Sequence, residues 1–263
     1  MSESEFQVIR IAGFAAAAGV ALALQRLRPH DRQYRARSVN VALWVINGVV
    51  MSAVCGACAC AVARWAGTAR TGLLNNIAAP AWVGIPVTVL ALDFVSYAWH
   101  RANHRIPPLW RFHQVHHSDS SFTVSTAVRF HPGELLLSLP IRLLAVVLIG
   151  APAMAVVVFE VFFAFANLFE HGNIGLPLRF EQGVAGLLVT PALHRRHHAS
   201  RRPELDSNFG TILTLWDRLL GTYGRSSSAA RFETGLPSGA RAHTLREALL
   251  LPLATRGDGV AIL

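Results

Sequence analysis

Three stretches of this chain are too long, too apolar and too free of charge to form the surface of a water-soluble domain. They run over about Phe6–Leu24, Val39–Ala63 and Ile77–Trp99. The second carries no charge, the first only Arg10 and the third only Asp93. As helices rising ~1.5 Å per residue, each can cross a hydrocarbon core of ~30 Å. A fourth apolar region, Glu134–Leu168, is broken at Gly150, Ala151 and Pro152. Its two legs, about 16 residues each, predict a helical hairpin that dips in and returns or spans twice. Composition agrees: 15% of residues are charged and 52% hydrophobic, against roughly 25% charged in average soluble domains. The expected fold is all-α and integral to the membrane. It has about four to five transmembrane helices including the hairpin, with a helical cap on the cytoplasmic side.

Charge sets the expected orientation. The formal net charge is +9 and every basic residue is arginine. A nucleic-acid partner is not expected, because the arginines flank apolar segments instead of building one basic face. The linker Gln25–Ser38 carries Arg26, Arg28, Arg32, Arg35 and Arg37, whereas the segment after the second stretch has Arg64 and Arg70. The positive-inside rule puts the first linker and both later histidine-rich regions in the cytoplasm, and the N-terminus outside. A bacterial inner membrane is the expected location. The acidic Met1–Glu5 end does not read as a cleavable signal, which needs a basic n-region. Cys55, Cys58 and Cys60 fall inside one apolar run, where small residues pack helices, and no further cysteine completes a metal site. The chain divides into residues 1–75 (N-terminal spans and arginine-rich linker), 76–224 (catalytic region) and 225–263 (tail, weakly helical over His243–Leu253).

Ten of the twelve histidines lie in two polar blocks. The first holds His100 and His104, then the run H-Q-V-H-H with His113, His116 and His117, then His131. The second holds His171 and the run H-R-R-H-H with His194, His197 and His198. At 100° per residue, His100 and His104 share one helix face, and an H-x-x-H-H run fits within an arc of about 100°. Pro107-Pro108 and Thr190-Pro191 read as helix starts just before the two runs. His131, preceding Pro132, is biased to extended backbone and is expected to reach the site from a turn. A single metal needs about four ligands, so this many converging imidazoles predict two metals with four or five nitrogens each. His30 and His243 read as surface or linker residues.

The residues resemble the fatty acid hydroxylase superfamily, also called the sterol desaturase family, over about Asp93–Tyr223. The resemblance rests on D-F-V-S-Y-A-W-H-R-A-N-H, L-W-R-F-H-Q-V-H-H-S and R-F-H-P at Arg129–Pro132. It continues through N-L-F-E-H, T-P-A-L-H-R-R-H-H, D-S-N-F-G and W-D-R-L-L-G-T-Y. It implies a membrane-embedded centre of two iron ions that uses O2 to hydroxylate or desaturate a lipid, such as a sterol or fatty acyl chain. It also implies the ten histidines as ligands, with Asp93, Asn167 and Asn208 as hydrogen-bonding residues around them or as caps and turn formers. Asp217 matches too and reads as structural. Glu160 and Glu170 are left outside the ligand set; Glu170 neighbours His171, but side chains at i and i+1 diverge on a helix. Redox-inert zinc cannot support C–H oxidation, which favours iron.

No dinucleotide, haem or flavin motif appears. Electrons are therefore expected from a separate donor protein of the ferredoxin, cytochrome or flavin-reductase type, and the substrate from the bilayer. Phe159, Phe162, Phe163, Phe165 and Phe169 line a substrate channel or face lipid, the latter for most of them. Two alternatives stand beside this reading. One is carotenoid or alkyl-ether lipid oxidation by the same fold. The other is a membrane metal transporter or metal-binding protein, which would place ligands inside its spans near the midplane.

Overall fold

The computed structural model describes residues 2–33, 38–55 and 58–254. The expected fold class holds: among these residues the chain is helical, without a named strand. Five helical runs are long and apolar enough to cross a membrane: Glu3–Leu27, Ser38–Asn76, Ala81–Arg105, Pro132–Ile149 and Ala153–Glu170. Along the chain they comprise α1 (Glu3–Leu27), α2 (Ser38–Cys55), α3 (Cys58–Thr68), α4 (Leu73–Asn76) and α5 (Ala81–Arg105). A short α6 (Pro107–His117) precedes the hairpin α7 (Pro132–Ile149) and α8 (Ala153–Glu170). Then follow α9 (Leu178–Val184), α10 (Pro191–His197), α11 (Leu215–Leu219) and α12 (Leu245–Leu250).

Local chemistry explains the boundaries. Ser2 caps α1 through a capping box with Glu5. Gly150 ends α7 at φ 69, a left-handed turn that a side chain would strain, and Pro152 starts α8. That turn folds the hairpin. Its legs of 18 residues are each about 27 Å long, close to the hydrocarbon thickness. Both runs of the H-x-x-H-H type are helical, as expected: α6 opens on Pro107-Pro108. Thr190 caps α10 by accepting from Leu193 N–H, with Pro191 in the first turn.

The packing brings the chemistry to one end. α8 runs against α1 and α5, and α7 against α5 and α3. Gly13 lets α1 approach α8 closely, since an added Cβ would stand 2.9 Å from a Val161 methyl. The buried core between the spans includes Leu92, Val146, Val157 and Phe159. Cys60 packs within it, its sulfur beside Arg10; the side chains of Cys55 and Cys58 lie outside the described residues. The C-terminal ends of α1, α5 and α8 and the N-terminal end of α7 lie together. His30 N–H donates to Asn173 C=O there, and Asn103 to Glu134 at 3.1 Å. The polar segments that follow α1, α5 and α8 assemble at that end as a cap.

Candidate metal centre

Nine histidines converge in two groups. His100, His104, His113, His117 and His197 form one; His116, His171, His194 and His198 form the other. Within each group the nitrogens on offer lie within 4.8 Å of one another. Apart from the half-buried His100, all are buried. α5 supplies His100 and His104, α6 the next three, the end of α8 His171, and α10 with its C-cap the last three. The two centres interleave, because α6 and α10 each feed both groups: His117 and His198 stack with centroids 4.2 Å apart.

Backbone and carboxylate acceptors fix four of the rings. A carbonyl can only accept, so Nδ1 is the donor in each case. His100 donates to Phe209 C=O (2.9 Å), His197 to Ser207 C=O (2.8 Å) and His171 to Asn167 C=O (2.7 Å). His113 Nδ1 lies 2.8 Å from Glu134 Oε1. Each bond leaves Nε2 with its lone pair facing inward, the usual way a ligating imidazole is oriented.

The donor set suits metal. The Nε2 atoms of His100, His104, His113 and His197 are buried without a hydrogen-bond partner among the described residues, as are both ring nitrogens of His117 and His198. Leaving a buried polar atom unsatisfied costs about 1–3 kcal/mol. The Nε2 atoms of His116 and His194 stand 3.0 and 2.9 Å from that of His171. Nitrogens sharing one metal at ~2.1 Å are about 3 Å apart when adjacent. Burial, reinforced by neighbouring imidazoles, holds His116, His117, His194 and His198 well below the ordinary histidine value. It pulls His171 down to about 4 and His197 to about 3. These six rings are therefore neutral at pH 7, the form that binds metal.

His131, expected as a tenth ligand, is not brought to either group. It caps α7: Nδ1 accepts from Gly133 N–H at 2.9 Å, and Nε2 donates to Leu249 C=O at 3.3 Å. The extended backbone that Pro132 imposes aims it at its own helix start.

Among the described residues, the side chains of Asp93, Asn167 and Asn208 make no hydrogen bond to the histidine rings. Asp93 accepts from Ile212 N–H and Trp216 Nε1, and Asn167 donates to Ala127 C=O. Asn208 ties Leu193 C=O to both polar groups of the Gly224 backbone. Asn208 sits at φ 58 between the two residues whose carbonyls hold His197 and His100. Asparagine tolerates that left-handed conformation better than most residues. Asp217 braces the same loop, accepting from the N–H groups of Phe209 and Gly210 and from the Thr222 hydroxyl. Three of the four thus hold the loop whose carbonyls orient His100 and His197.

Two carboxylates were missed or set aside by sequence reading. Glu134 lies on the first turn of α7 and grips His113 and Asn103. Its signal was an acid at the opening of a largely apolar span. Glu170 is buried with its carboxylate oxygens 3.8 Å from Nδ1 of His171 and of His194. The i, i+1 argument fails because His171 is the C-cap of α8, where the ring turns back toward Asn167.

An apolar cavity of about 200 Å³ reaches the centre between α5, α7 and α8. Leu92, Val95, Ile141, Phe159 and Phe163 line its walls; His100, His113, His116, His171 and His194 line its histidine end. Phe162 and Phe165 are exposed on the outer face.

Several known proteins are similar to this region. The chain is 32% identical over 145 residues to ornithine lipid hydroxylase OlsE of Rhizobium tropici, covering 55% of this chain and 43% of that one. It is 31% identical over 141 residues to alkylglycerol monooxygenase of Homo sapiens, covering 51% and 29%. It is 28% identical over 154 residues to cholesterol 25-hydroxylase of Rattus norvegicus, covering 58% and 50%. The chain thus spans half or less of the length of these relatives. No solved structure matches it. The family model for fatty acid hydroxylase matches residues 85–222, more than half of the 263 residues, and the chain belongs to the fatty acid hydroxylase family.

Proposed function

We propose that the chain is a membrane-bound lipid hydroxylase whose nine converging histidines hold two iron ions. The observation that carries this reading is the pairing of two histidine groups, of five and four, with an apolar cavity ending on both. When bound, such a centre supplies the means to activate O2 against an unactivated C–H bond, with electrons from a separate donor protein of the ferredoxin, cytochrome or flavin-reductase type.

The chain's own residues do the rest. Phe209, Ser207 and Asn167, through their carbonyls, and Glu134, through its carboxylate, hold the imidazoles so that Nε2 faces the metals. Leu92, Val95, Ile141, Phe159 and Phe163 bind a hydrocarbon chain and exclude water from its end near the histidines. Glu170 lies at the junction of that cavity with His171 and His194. We assign catalysis to residues 76–224; the family match, 85–222, falls within them. We place the centre on the cytoplasmic side of a bacterial inner membrane, supported by the arginine bias of the first linker.

The similar proteins are named hydroxylases and monooxygenases, which supports oxygen insertion over desaturation. Likeness to alkylglycerol monooxygenase supports an alkyl-ether lipid as a second substrate reading. The test is lipid mass spectrometry of a host with the wild-type chain or the His197→Ala variant. A species gaining one oxygen atom, present only with the wild type, is the expected result. A species losing two hydrogens would replace hydroxylation by desaturation, and no altered lipid with metal translocated across vesicles would favour a transporter.

A further inference from the structure

A second cavity, polar and about 360 Å³ in volume, lies beside the four-histidine group with Phe122 as its wall on that side. The Phe122 ring packs against His171, His194 and His198. The Arg195 guanidinium sits 5.4 Å from the centroid of that ring. Arg195 follows the ligand His194 on α10, is 4% exposed, and lines the cavity. Its Nη1 is buried with no hydrogen-bond partner among the described residues, and Nη2 reaches only Ile174 C=O, at 3.4 Å. Arg231 and Arg241 line the exposed mouth.

The cavity also carries Asp31 and Glu233, both exposed. Among the described residues neither stands at ion-pair distance from these arginines, so three guanidinium groups face two carboxylates in the cavity itself; the buried Glu181, outside the lining, also acts electrostatically on Arg195. His30, also in the lining, is pulled down to about 4 by burial and then by Arg195 and Arg231. It is neutral at pH 7 and competes with no guanidinium for an anion. A buried guanidinium whose donors lack acceptors is costly, and its planar fork matches an oxyanion.

We propose that this cavity binds a phosphate-type oxyanion, held by Arg195 at the floor and by Arg231 and Arg241 at the mouth. His30 and Asn173, which also line it, follow the ends of the spanning helices α1 and α8. The site is therefore at the depth of lipid headgroups, and the oxyanion comes either from a phospholipid headgroup or from free phosphate. Through Phe122, occupancy stiffens the wall of the four-histidine group without entering the apolar cavity, which Phe122 and Arg195 do not line.

The test measures thermal unfolding of the metal-loaded full chain in phosphate-free, uncharged detergent. One arm adds inorganic phosphate, another a short-chain phosphatidic acid, against sodium chloride of equal ionic strength. A saturable rise in Tm with phosphate assigns a free oxyanion, and a rise with the lipid alone assigns a headgroup; either supports the site. In both cases Arg231→Ala with Arg241→Ala must weaken half-saturation at least tenfold, and Arg195→Met must abolish the rise. If Arg195→Met does not fold, the two mouth variants decide. No rise beyond the chloride control, or a rise unchanged in the mouth variants, overturns the proposal.

Discussion

Glu134 Oε1 and His113 Nδ1 stand 2.8 Å apart, both side chains buried, and the same oxygen accepts from Asn103. The carboxylate on α7 thereby fixes the tautomer of His113 on α6 and ties it to α5. An orienting acid of this kind raises ligand basicity and is worth roughly 10–100-fold in metal affinity or activity. Glu134→Ala is expected to lower iron affinity by that factor, read by metal analysis after dialysis against a weak chelator. Glu134→Gln, which keeps an acceptor oxygen, should fall between. Undiminished iron retention in Glu134→Ala would remove the residue from the centre.

His131 offers the opposite expectation. As the N-cap of α7, it contributes stability of about 0.5–2 kcal/mol. His131→Ala should therefore lower Tm while leaving iron per chain unchanged, and His131→Asn should restore Tm. Loss of iron in His131→Ala at a temperature where the protein remains folded would reinstate it as a ligand.

The loop around Asn208 holds two rings through its backbone, so side-chain changes there act at a distance. Asp217→Ala removes the acceptor of the Phe209 and Gly210 N–H groups and of Thr222. It leaves buried donors unsatisfied at about 1–3 kcal/mol each. Iron should be lost preferentially from the group containing His100 and His197. A variant that loses both irons equally, or neither, would separate this loop from ligand orientation.

Acid should destabilise the metal-free protein. His171 and His197 titrate at about 4 and about 3 in the folded chain, against about 6.5 when unfolded. Below pH ~6.5 the unfolded chain binds more protons, so stability falls as pH drops through that window to the folded values and is level above it. Tm of the chelator-treated protein should be flat from pH 7 to 8 and fall steadily from pH 6.5 to 4.5. A flat profile down to pH 4.5 would mean that these rings are not buried and neutral.

Filling the apolar cavity should separate substrate binding from metal binding. Ser138 is buried on α7 and lines the cavity. Ser138→Phe should cut lipid turnover at least tenfold, about 1.4 kcal/mol, with iron content unchanged. Full turnover in this variant would place the substrate path elsewhere.

Much of this centre was legible as spacing. Period and charge marked the apolar helices, and helical intervals of three and four marked eight of the nine converging histidines, because helical geometry alone converts those intervals into a shared face; His171 has no such neighbour and was marked by the family resemblance. His131 was misplaced because its sequence context states only that its backbone is extended, which serves a cap as well as a ligand. The orienting carbonyls of Ser207 and Phe209 were invisible, since a backbone acceptor has no side-chain signature and the loop has no period. Glu170, left outside the ligand set, stays outside both histidine groups but lies beside two of their rings, because the rule for helix interiors does not hold at a C-cap. In each case a tertiary contact, not a local pattern, decided the role.

The account stands or falls on two metal sites built by different histidines. Iron per chain should be roughly two in the wild type, given five and four ligands. It should drop to roughly one in His104→Ala and in His171→Ala, and to near zero in the double variant. A wild-type value of one, or the same single loss in the double variant as in each alone, would contradict a two-metal centre.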